Sequence, residues 1–150
     1  MIDYLRIGND IIGACFDVRK EVGQRLREKY YKYALKWELE RRGHKVSVEV
    51  SIPMRYKDIE IGDALVADMI VDDCVILELK AVSKMGEMET RQLNTYLHLT
   101  GYKLGYLINF GAKDFCIGNL KKDTFPYIKG IFRVANGLEY QGRIGTKTTN

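Results

Sequence analysis

The chain has 150 residues, 46% hydrophobic and 29% charged, and these proportions indicate one globular domain over residues 1–150 rather than a disordered segment. The net charge of +4 permits nucleic acid as a partner without demanding it. Two histidines and three widely separated cysteines argue against a zinc site and against histidine-based catalysis. The sequence shows no long apolar run and no signal-peptide pattern, so we expect a cytoplasmic protein with no membrane partner.

Two helices are predicted in the first third of the chain. Asn9–Val22 carries apolar residues at helical spacing, and Asn9 or Asp10 can cap it. The second helix, Arg25–Arg42, is ended by Gly43. The apolar stripe of this second helix is predicted to consist of Tyr31, Leu35 and Leu39, widened by Tyr30, Ala34 and Trp37.

The middle of the chain has the pattern of β-strands. Lys45–Tyr56 alternates as a half-exposed strand does, and Pro53 indicates an edge or a bulge in its second part. Ala64–Val71 and Val75–Val82 are apolar on both faces, which is typical of strands buried within a sheet. The dipeptide Asp72-Asp73 is predicted to form the turn between them.

The last part of the chain gives a weaker pattern. A third helix is predicted over Glu87–Leu99, and Leu104–Phe110 is predicted as a further buried strand. Phe115–Leu120 suggests another strand, Ile128–Val134 fits either a strand or a short helix, and Gly142–Asn150 is predicted as a loose tail. Strands flanked by helices on both sides in the sequence indicate an α/β fold around a mixed sheet.

Three charged residues interrupt the two buried strands. Asp68 lies in LVADMIV, while Glu78 and Lys80 lie in VILELKAV, two positions apart and therefore on one face of a strand. Charged groups are seldom buried unless they are paired or hold a metal ion. One interpretation is a structural salt bridge, although buried ion pairs contribute little net stability. The other interpretation is a functional site.

These residues suit the hydrolysis of a phosphodiester. Asp68 and Glu78 on adjacent strands supply carboxylate oxygens, which Mg²⁺ prefers as ligands, and Lys80 can orient or deprotonate the attacking water. A two-residue hairpin at Asp72-Asp73 would pair Asp68 with Leu77. Asp68 would then point away from Glu78, because paired residues share a face. A shared metal site therefore requires a three-residue turn or a bulge near Asp68.

Residues of two helices are candidates for the same site. Glu28 lies one turn before Tyr31 and shares its stripe, although a first-turn glutamate also complements the helix dipole. Gln92 and Tyr96 lie four residues apart on one face of the third helix. The alternative for this pair is an ordinary surface glutamine beside a core tyrosine.

These residues and the longer blocks around them resemble a known nuclease group. Asp68 followed by Glu78-Leu79-Lys80 resembles the signature of PD-(D/E)XK nucleases, and Gln92–Tyr96 is similar to the QxxxY motif of RecB-type nucleases in that superfamily. Residues 7–111 resemble the GxxExxY family, with Arg25 where that family has glycine. The blocks that carry this second resemblance are EVGQRLREKYYKYAL, IPMRYKDIEIGDALVADMIVDDCVILELKAV and TRQLNTYLHLTGYKLGYLINFG.

The resemblance implies a fold, a cofactor and residue roles. The fold is a restriction-endonuclease-like αβββαβ core over residues 7–111, followed by a C-terminal extension over residues 112–150. The cofactor is Mg²⁺ or Mn²⁺. The implied metal ligands are Glu28, Asp68 and Glu78, with Lys80 as the catalytic lysine, Gln92 as a helper that positions the lysine or a phosphate, and Tyr31 and Tyr96 as candidate substrate contacts.

The predicted function is therefore metal-dependent cleavage of DNA, with RNA and a homodimer left open. The rival interpretation is a nucleic-acid-binding or assembly module that keeps the fold without cutting. The full set of acidic residues, lysine and glutamine favours the enzyme. The lack of a dense basic patch in the central blocks keeps the rival open.

Overall fold

A computed structural model describes residues 1–62 and 65–137. The helices are α1 (Tyr4–Val22), α2 (Glu28–Arg41) and α3 (Glu87–Thr100). The strands are β1 (Val46–Ile52), β2 (Arg55–Tyr56), β3 (Ile59–Glu60), β4 (Leu65–Val71), β5 (Val75–Lys80), β6 (Leu104–Asn109), β7 (Asp114–Ile117) and β8 (Lys129–Ala135). Within the described part of the chain, no helix is both long enough and apolar enough to span a bilayer.

Six strands form one mixed sheet in the order β1-β4-β5-β6-β8-β7. The pairs β1–β4, β4–β5 and β6–β8 are antiparallel, and the pairs β5–β6 and β7–β8 are parallel. β2 and β3 form a separate small hairpin. The predicted α/β fold, with a mixed central sheet flanked by helices, is confirmed.

Two apolar clusters cover the two faces of the sheet. The first packs α1 and α2 against one face and includes Tyr31 and Leu77. The second packs α3 against the opposite face and includes Leu93 and Ile76. The neighbours Ile76 and Leu77 enter different clusters because successive strand residues point to opposite faces. The sheet is therefore the middle layer of three.

Both N-terminal helices begin at residues other than those predicted. α1 begins five residues before Asn9, because Asp3 caps it with a carboxylate that accepts from the Arg6 N–H at 3.1 Å. α2 begins at Glu28 rather than at Arg25, so Arg25 lies in the loop before the helix.

The apolar stripe of α2 is narrower than predicted. Tyr31, Leu35 and Leu39 are fully buried, as predicted. Tyr30 and Trp37, predicted to widen this stripe, are instead 52% and 55% exposed. The spacing of these two residues is helical, but it defines a second stripe on the outer face of the helix.

The predicted strand Lys45–Tyr56 is broken at Pro53. β1 stops at Ile52, and the following residues pair as Arg55 with Glu60 in the β2–β3 hairpin. Proline has no N–H to donate to a ladder, which explains the break.

The segment after Gly111 completes the sheet. β8 lies between β6 and β7, so Ile128–Val134, for which the sequence left strand or helix open, is a strand. Its residues Ile131 and Phe132 are fully buried, one in each cluster. The core thus extends beyond the predicted boundary at residue 111. The predicted tail Gly142–Asn150 and Ala64, the first residue of the predicted strand Ala64–Val71, lie outside the described residues.

Candidate active site

The turn between β4 and β5 sets the relation between the two candidate acids. Val71 pairs with Val75, so the turn has three residues and not two. Asp72 and Asp73 both take positive φ, at 52° and 57°, a conformation that aspartate tolerates better than most residues. The register continues to place Asp68 opposite Glu78, as the shared metal site requires. The predicted three-residue turn is confirmed.

The ladder between β4 and β5 stops one step before the two acids. Its last pair is Met69 with Leu77. Beyond that pair, the Asp68 carboxylate accepts from the Leu79 N–H at 2.7 Å, and the Glu78 carboxylate accepts from the Asp68 N–H at 3.3 Å. Side-chain oxygens replace the missing backbone partners. The two strands separate here, and both carboxylates lie in the gap between them.

The side chains of β4 also switch from one face of the sheet to the other at Asp68. Met69 packs in the cluster with α1 and α2, whereas Ala67 packs in the cluster with α3. Residues two apart in a regular strand share a face, so the alternation is interrupted at Asp68. The neighbouring strand shows the same change between Val48 and Val50, on either side of Glu49, whose φ is 51°. The candidate acid therefore sits at an irregularity shared by β1 and β4.

Burial and like charge act together on the acids. Glu78 is 8% exposed, and its burial and then the charge of Asp68 raise its pKa to about 7. Burial, followed by the Asp68 charge, also raises the pKa of half-buried Glu28, which Lys80 and Lys32 oppose. Interactions between charges weaken with distance. The charges of Asp68 and Lys80 act on Glu28, at the start of α2.

An ion pair that the sequence analysis missed borders this cluster of acids. Lys32 lies one turn after Glu28, is only 8% exposed, and pairs with Glu49 at 3.2 Å. Glu49 occupies the register position opposite Asp68. The signal that could have found Lys32 is its spacing from Glu28, since residues four apart in a helix lie on one face. Glu49 gave no such signal, because its neighbours VSVEVSI fit an ordinary alternating strand.

Asn109 is a further residue that the sequence analysis missed. It is fully buried at the end of β6 and is paired with Lys80 across the parallel strands. Its amide donates to the Val82 carbonyl and accepts from the Val82 and Gly111 N–H groups, each at 3.0 Å. The side chain thus continues the pairing of β5 and β6 beyond the last strand residue. It fixes the path of the chain directly after Lys80.

Comparison with known families decides the assignment. A family of sequences described as the PD-(D/E)XK nuclease superfamily matches residues 5–118. This chain belongs to the PD-(D/E)XK nuclease superfamily. Searches of curated proteins and of solved structures gave no match. The six-stranded mixed sheet between helices is consistent with the restriction-endonuclease-like fold of this superfamily.

The PD-(D/E)XK superfamily implies a metal, and the chain offers partners for one. Among the described residues, no three His, Cys, Asp or Glu side chains already converge as a metal cluster. Mg²⁺, however, is usually bound by one or two carboxylates together with waters and substrate oxygens. Asp68 and Glu78 supply such a pair, and a cation between them would offset the repulsion that raises the pKa of Glu78. The donor set fits the ion.

The structure does not bring all the predicted nuclease residues together. Gln92 is exposed on α3, and its amide donates to the half-buried Tyr96 hydroxyl at 2.8 Å rather than to any of the acids. Tyr31 is fully buried, and its hydroxyl donates to the Gly23 carbonyl and accepts from the Leu26 N–H. Tyr31 therefore holds the loop before α2 and presents no surface to a substrate. The roles of Gln92 as a helper and of Tyr96 as a substrate contact remain predictions.

Proposed function

We propose that this chain is a Mg²⁺- or Mn²⁺-dependent nuclease that hydrolyses phosphodiester bonds in DNA. The observation that carries the proposal is the meeting of Asp68 and Glu78 where β4 and β5 separate. Two acids in a nearly buried gap are unfavourable by themselves and become favourable around a divalent cation. A salt bridge alone would not need the second acid.

Each residue of the proposed site has a distinct task. Asp68 and Glu78 hold the metal ion, and Glu28 adds a third carboxylate from α2. The ion supplies positive charge that stabilises the phosphate as negative charge develops on it. Lys80, two positions after Glu78 on the same strand, orients the attacking water and attracts the phosphate. Asn109 holds the backbone that follows Lys80.

The finer assignments are part of the same proposal. Membership of the GxxExxY group rests on the sequence blocks around Glu28, Asp68 and Lys80. Gln92 is proposed to approach a bound phosphate from α3, which requires its amide to leave the Tyr96 hydroxyl. A cytoplasmic location and a homodimer are expectations that cell fractionation and sedimentation would check.

Mn²⁺ binding tests the proposed site without relying on cleavage. Titration calorimetry should detect a Mn²⁺ site in the wild-type protein, and the variants Asp68→Asn and Glu78→Gln should each weaken it at least about tenfold, because each removes an anionic ligand. Asp58→Asn, at the tip of the β2–β3 hairpin, is the matched control and should leave the affinity unchanged. Unchanged affinity in both site variants would refute the shared metal site.

A panel of substrates separates the nuclease from the non-catalytic rival. Labelled single-stranded, duplex, flapped and branched DNA, and RNA of the same sequence, would be incubated with Mg²⁺ or Mn²⁺. The nuclease cuts at least one DNA and stops when EDTA is added. A protein that binds these nucleic acids and cuts none supports the rival module.

A further inference from the structure

Helix α2 carries an aromatic stripe on its outer face, made of Tyr30, Tyr33 and Trp37. These three side chains are 52%, 53% and 55% exposed. Steps of three and four residues place them on the same side of the helix, opposite the buried Tyr31, Leu35 and Leu39. Large aromatic side chains are a major source of burial energy, so three adjacent exposed ones mark a binding surface rather than ordinary surface.

Cations lie directly against this aromatic stripe. The Lys29 ammonium is 5.2 Å from the centre of the Tyr30 ring, and the Arg41 guanidinium is 4.5 Å from the centre of the Trp37 ring. Neither cation has a carboxylate partner among the described residues, whereas Lys36 between them pairs with Glu40 at 2.8 Å. The stripe therefore offers flat rings together with unneutralised positive charge.

This combination selects nucleic acid over an apolar protein surface. An apolar protein surface packed on the rings would remove water from Lys29 and Arg41 without supplying anions to them, which is costly. A polynucleotide supplies bases that stack on the rings and phosphates that pair with the cations. Arg25 and Arg27, both exposed in the loop before α2, extend the positive charge toward the start of the helix.

The spacing of the rings favours a single strand over a duplex. With a rise of 1.5 Å per residue, Tyr30 and Tyr33 are about 4.5 Å apart along the axis and Tyr33 and Trp37 about 6 Å. Nucleotides along a strand of a duplex rise by only about 3.4 Å, and their faces are covered by the neighbouring bases. A single strand can separate its bases to reach the rings, whereas a duplex would have to unstack.

We infer that the aromatic stripe of α2 binds single-stranded DNA, so that the substrate of this chain contains a single-stranded segment. The choice of DNA rests on the proposed function. Tyr30 lies only two residues after Glu28, so the stripe starts at the end of the helix that carries a proposed metal ligand. A strand held on α2 would pass that end of the helix.

The fluorescence of Trp37 reports directly on this surface, because it is the single tryptophan of the chain. A short oligothymidylate would be titrated into the full-length Lys80→Ala variant in EDTA, so that neither metal nor cleavage contributes. Stacking should quench the Trp37 emission in a saturable way. Tyr33→Ala should weaken binding at least about fivefold, the lower end of what one base–aromatic contact contributes.

The β2–β3 hairpin provides a matched control. Tyr56 in this hairpin is 55% exposed, and the Lys57 ammonium lies 5.4 Å from the centre of its ring. It therefore has the same combination of an exposed ring and a cation as the aromatic stripe, but outside α2. Tyr56→Ala should leave oligothymidylate binding unchanged within about twofold, the range expected of a residue outside the binding surface. Equal losses in Tyr33→Ala and Tyr56→Ala would overturn the proposal, because binding would then not depend on α2.

Salt dependence tests the role of the cations. In the Lys29→Ala and Arg41→Ala variants, the slope of log affinity against log salt concentration should become shallower by about 0.7 for each phosphate contact removed. An unchanged slope in both variants would show that the cations do not meet phosphates, and would overturn the proposal.

The remaining outcomes identify other occupants. Tighter binding to the matching oligouridylate would assign the stripe to RNA and overturn the choice of DNA. If sedimentation shows that Tyr33→Ala dissociates a dimer while DNA affinity is unchanged, the stripe is a protein interface and the proposal fails. This binding assay contains no metal, so it is independent of the cleavage assay. If the protein cuts DNA but the Trp37 fluorescence does not respond, only the proposal about the aromatic stripe is refuted. If the fluorescence responds but no DNA is cut, only the proposed nuclease activity is refuted.

Discussion

At the scale of single residues, polar side chains take over where backbone pairing stops. The carboxylates of Asp68 and Glu78 replace the ladder between β4 and β5, and the Asn109 amide replaces it after Lys80. Buried backbone groups without a partner are costly, so each of these side chains stabilises the gap that it occupies. The proposed metal ion and the phosphate would reach the acids through the same gap.

Asn109→Ala should destabilise the fold. It leaves the Val82 N–H and carbonyl and the Gly111 N–H without partners, and we expect a loss of about 3 kcal/mol in the free energy of unfolding in urea. Asn94 is exposed on α3, and Asn94→Ala is the control. It should change the free energy of unfolding by less than about 0.5 kcal/mol. Equal unfolding midpoints for Asn109→Ala and wild type would show that the amide does not hold this segment.

Glu49 gives a test in which strand propensity and backbone conformation disagree. Valine generally favours strands, but the φ of Glu49 is 51°, where a β-branched side chain is strained. Both Glu49→Val and Glu49→Gly remove the carboxylate that pairs with Lys32, so the difference between them reports the backbone conformation. Glu49→Val should be less stable than Glu49→Gly by about 1–2 kcal/mol. Thermal unfolding measures both, with Ser51→Val, at an exposed position of the same strand, as the control. A Glu49→Val protein as stable as Glu49→Gly would contradict the strained conformation.

At the scale of elements, local pattern predicted most of the helices and strands. Tyr31, Leu35 and Leu39 identified the buried face of α2 because they repeat at helical spacing. The same periodicity could not tell that Tyr30 and Trp37 face outward, since spacing defines stripes on both sides of a helix. The contacts of Lys32 with Glu49 and of Asn109 with Val82 could not be predicted, because they join residues 17 and 27 positions apart.

The three-residue turn was predicted from chemistry rather than from local propensity. Asp72-Asp73 by itself fits a two-residue hairpin, and only the need to bring Asp68 opposite Glu78 indicated otherwise. β7 and β8 gave weak signals, because β8 is held by pairing with β6, and β7 by pairing with β8, rather than by their own sequence patterns. The aspartates of this turn also explain why His44 is held in place.

His44 connects three elements through charge. Its side chain is 2% exposed, and its ring nitrogens contact the carboxylates of Asp72 at 2.5 Å and of Asp10 at 2.7 Å. Ionised carboxylates only accept hydrogen bonds, so both contacts can be hydrogen bonds at once only when the His44 ring is protonated. Burial lowers the pKa of His44, but the hydrogen bonds with Asp72 and Asp10 outweigh it and the pKa is raised. α1, the segment between α2 and β1, and the turn between β4 and β5 are thereby held together.

Stability should therefore fall as the pH rises. A histidine whose pKa is raised on folding contributes its full stability below its unfolded pKa of about 6.5, and this contribution is lost as the pH passes the folded value. The urea unfolding free energy should decrease above pH 6.5 in the wild type. His44→Gln should be less stable by about 2 kcal/mol at low pH and show a smaller decrease above pH 6.5. The remaining decrease comes from Glu78, because its ionisation near pH 7 is opposed by burial in the folded protein.

His98 provides the control for this pH dependence. It is the second histidine of the chain and is exposed on α3. His98→Gln should keep the wild-type decrease in stability above pH 6.5. If His44→Gln and wild type lose stability in parallel, the charge of His44 does not stabilise the fold.

At the scale of the whole molecule, the sheet depends on the segment beyond the sequence blocks that resemble nucleases. β8 places Ile131 in one apolar cluster and Phe132 in the other, and it joins β7 to β6. A chain truncated after Gly111 should not fold, because β6 would become an edge strand and both clusters would be exposed. Circular dichroism and sedimentation would show unfolded or aggregated protein.

A second truncated chain, which removes fewer residues, is the control. A chain ending at Gly137 retains all six strands of the sheet and should unfold cooperatively near the wild-type temperature. If the chain ending at Gly111 folded equally well, β7 and β8 would be an accessory and not part of the core.

Cleavage by the wild-type protein and by Lys80→Met tests the central claim most directly. Wild-type protein with Mg²⁺ should cut at least one of the DNA substrates. Lys80→Met should lose at least about a hundredfold in rate while keeping its circular dichroism spectrum, because it lacks the ammonium group that we propose to orient the water. Lys84→Met, exposed four residues later, should cut like wild type. A wild-type protein inert on every substrate, or a Lys80→Met variant that cuts equally well, would contradict the account.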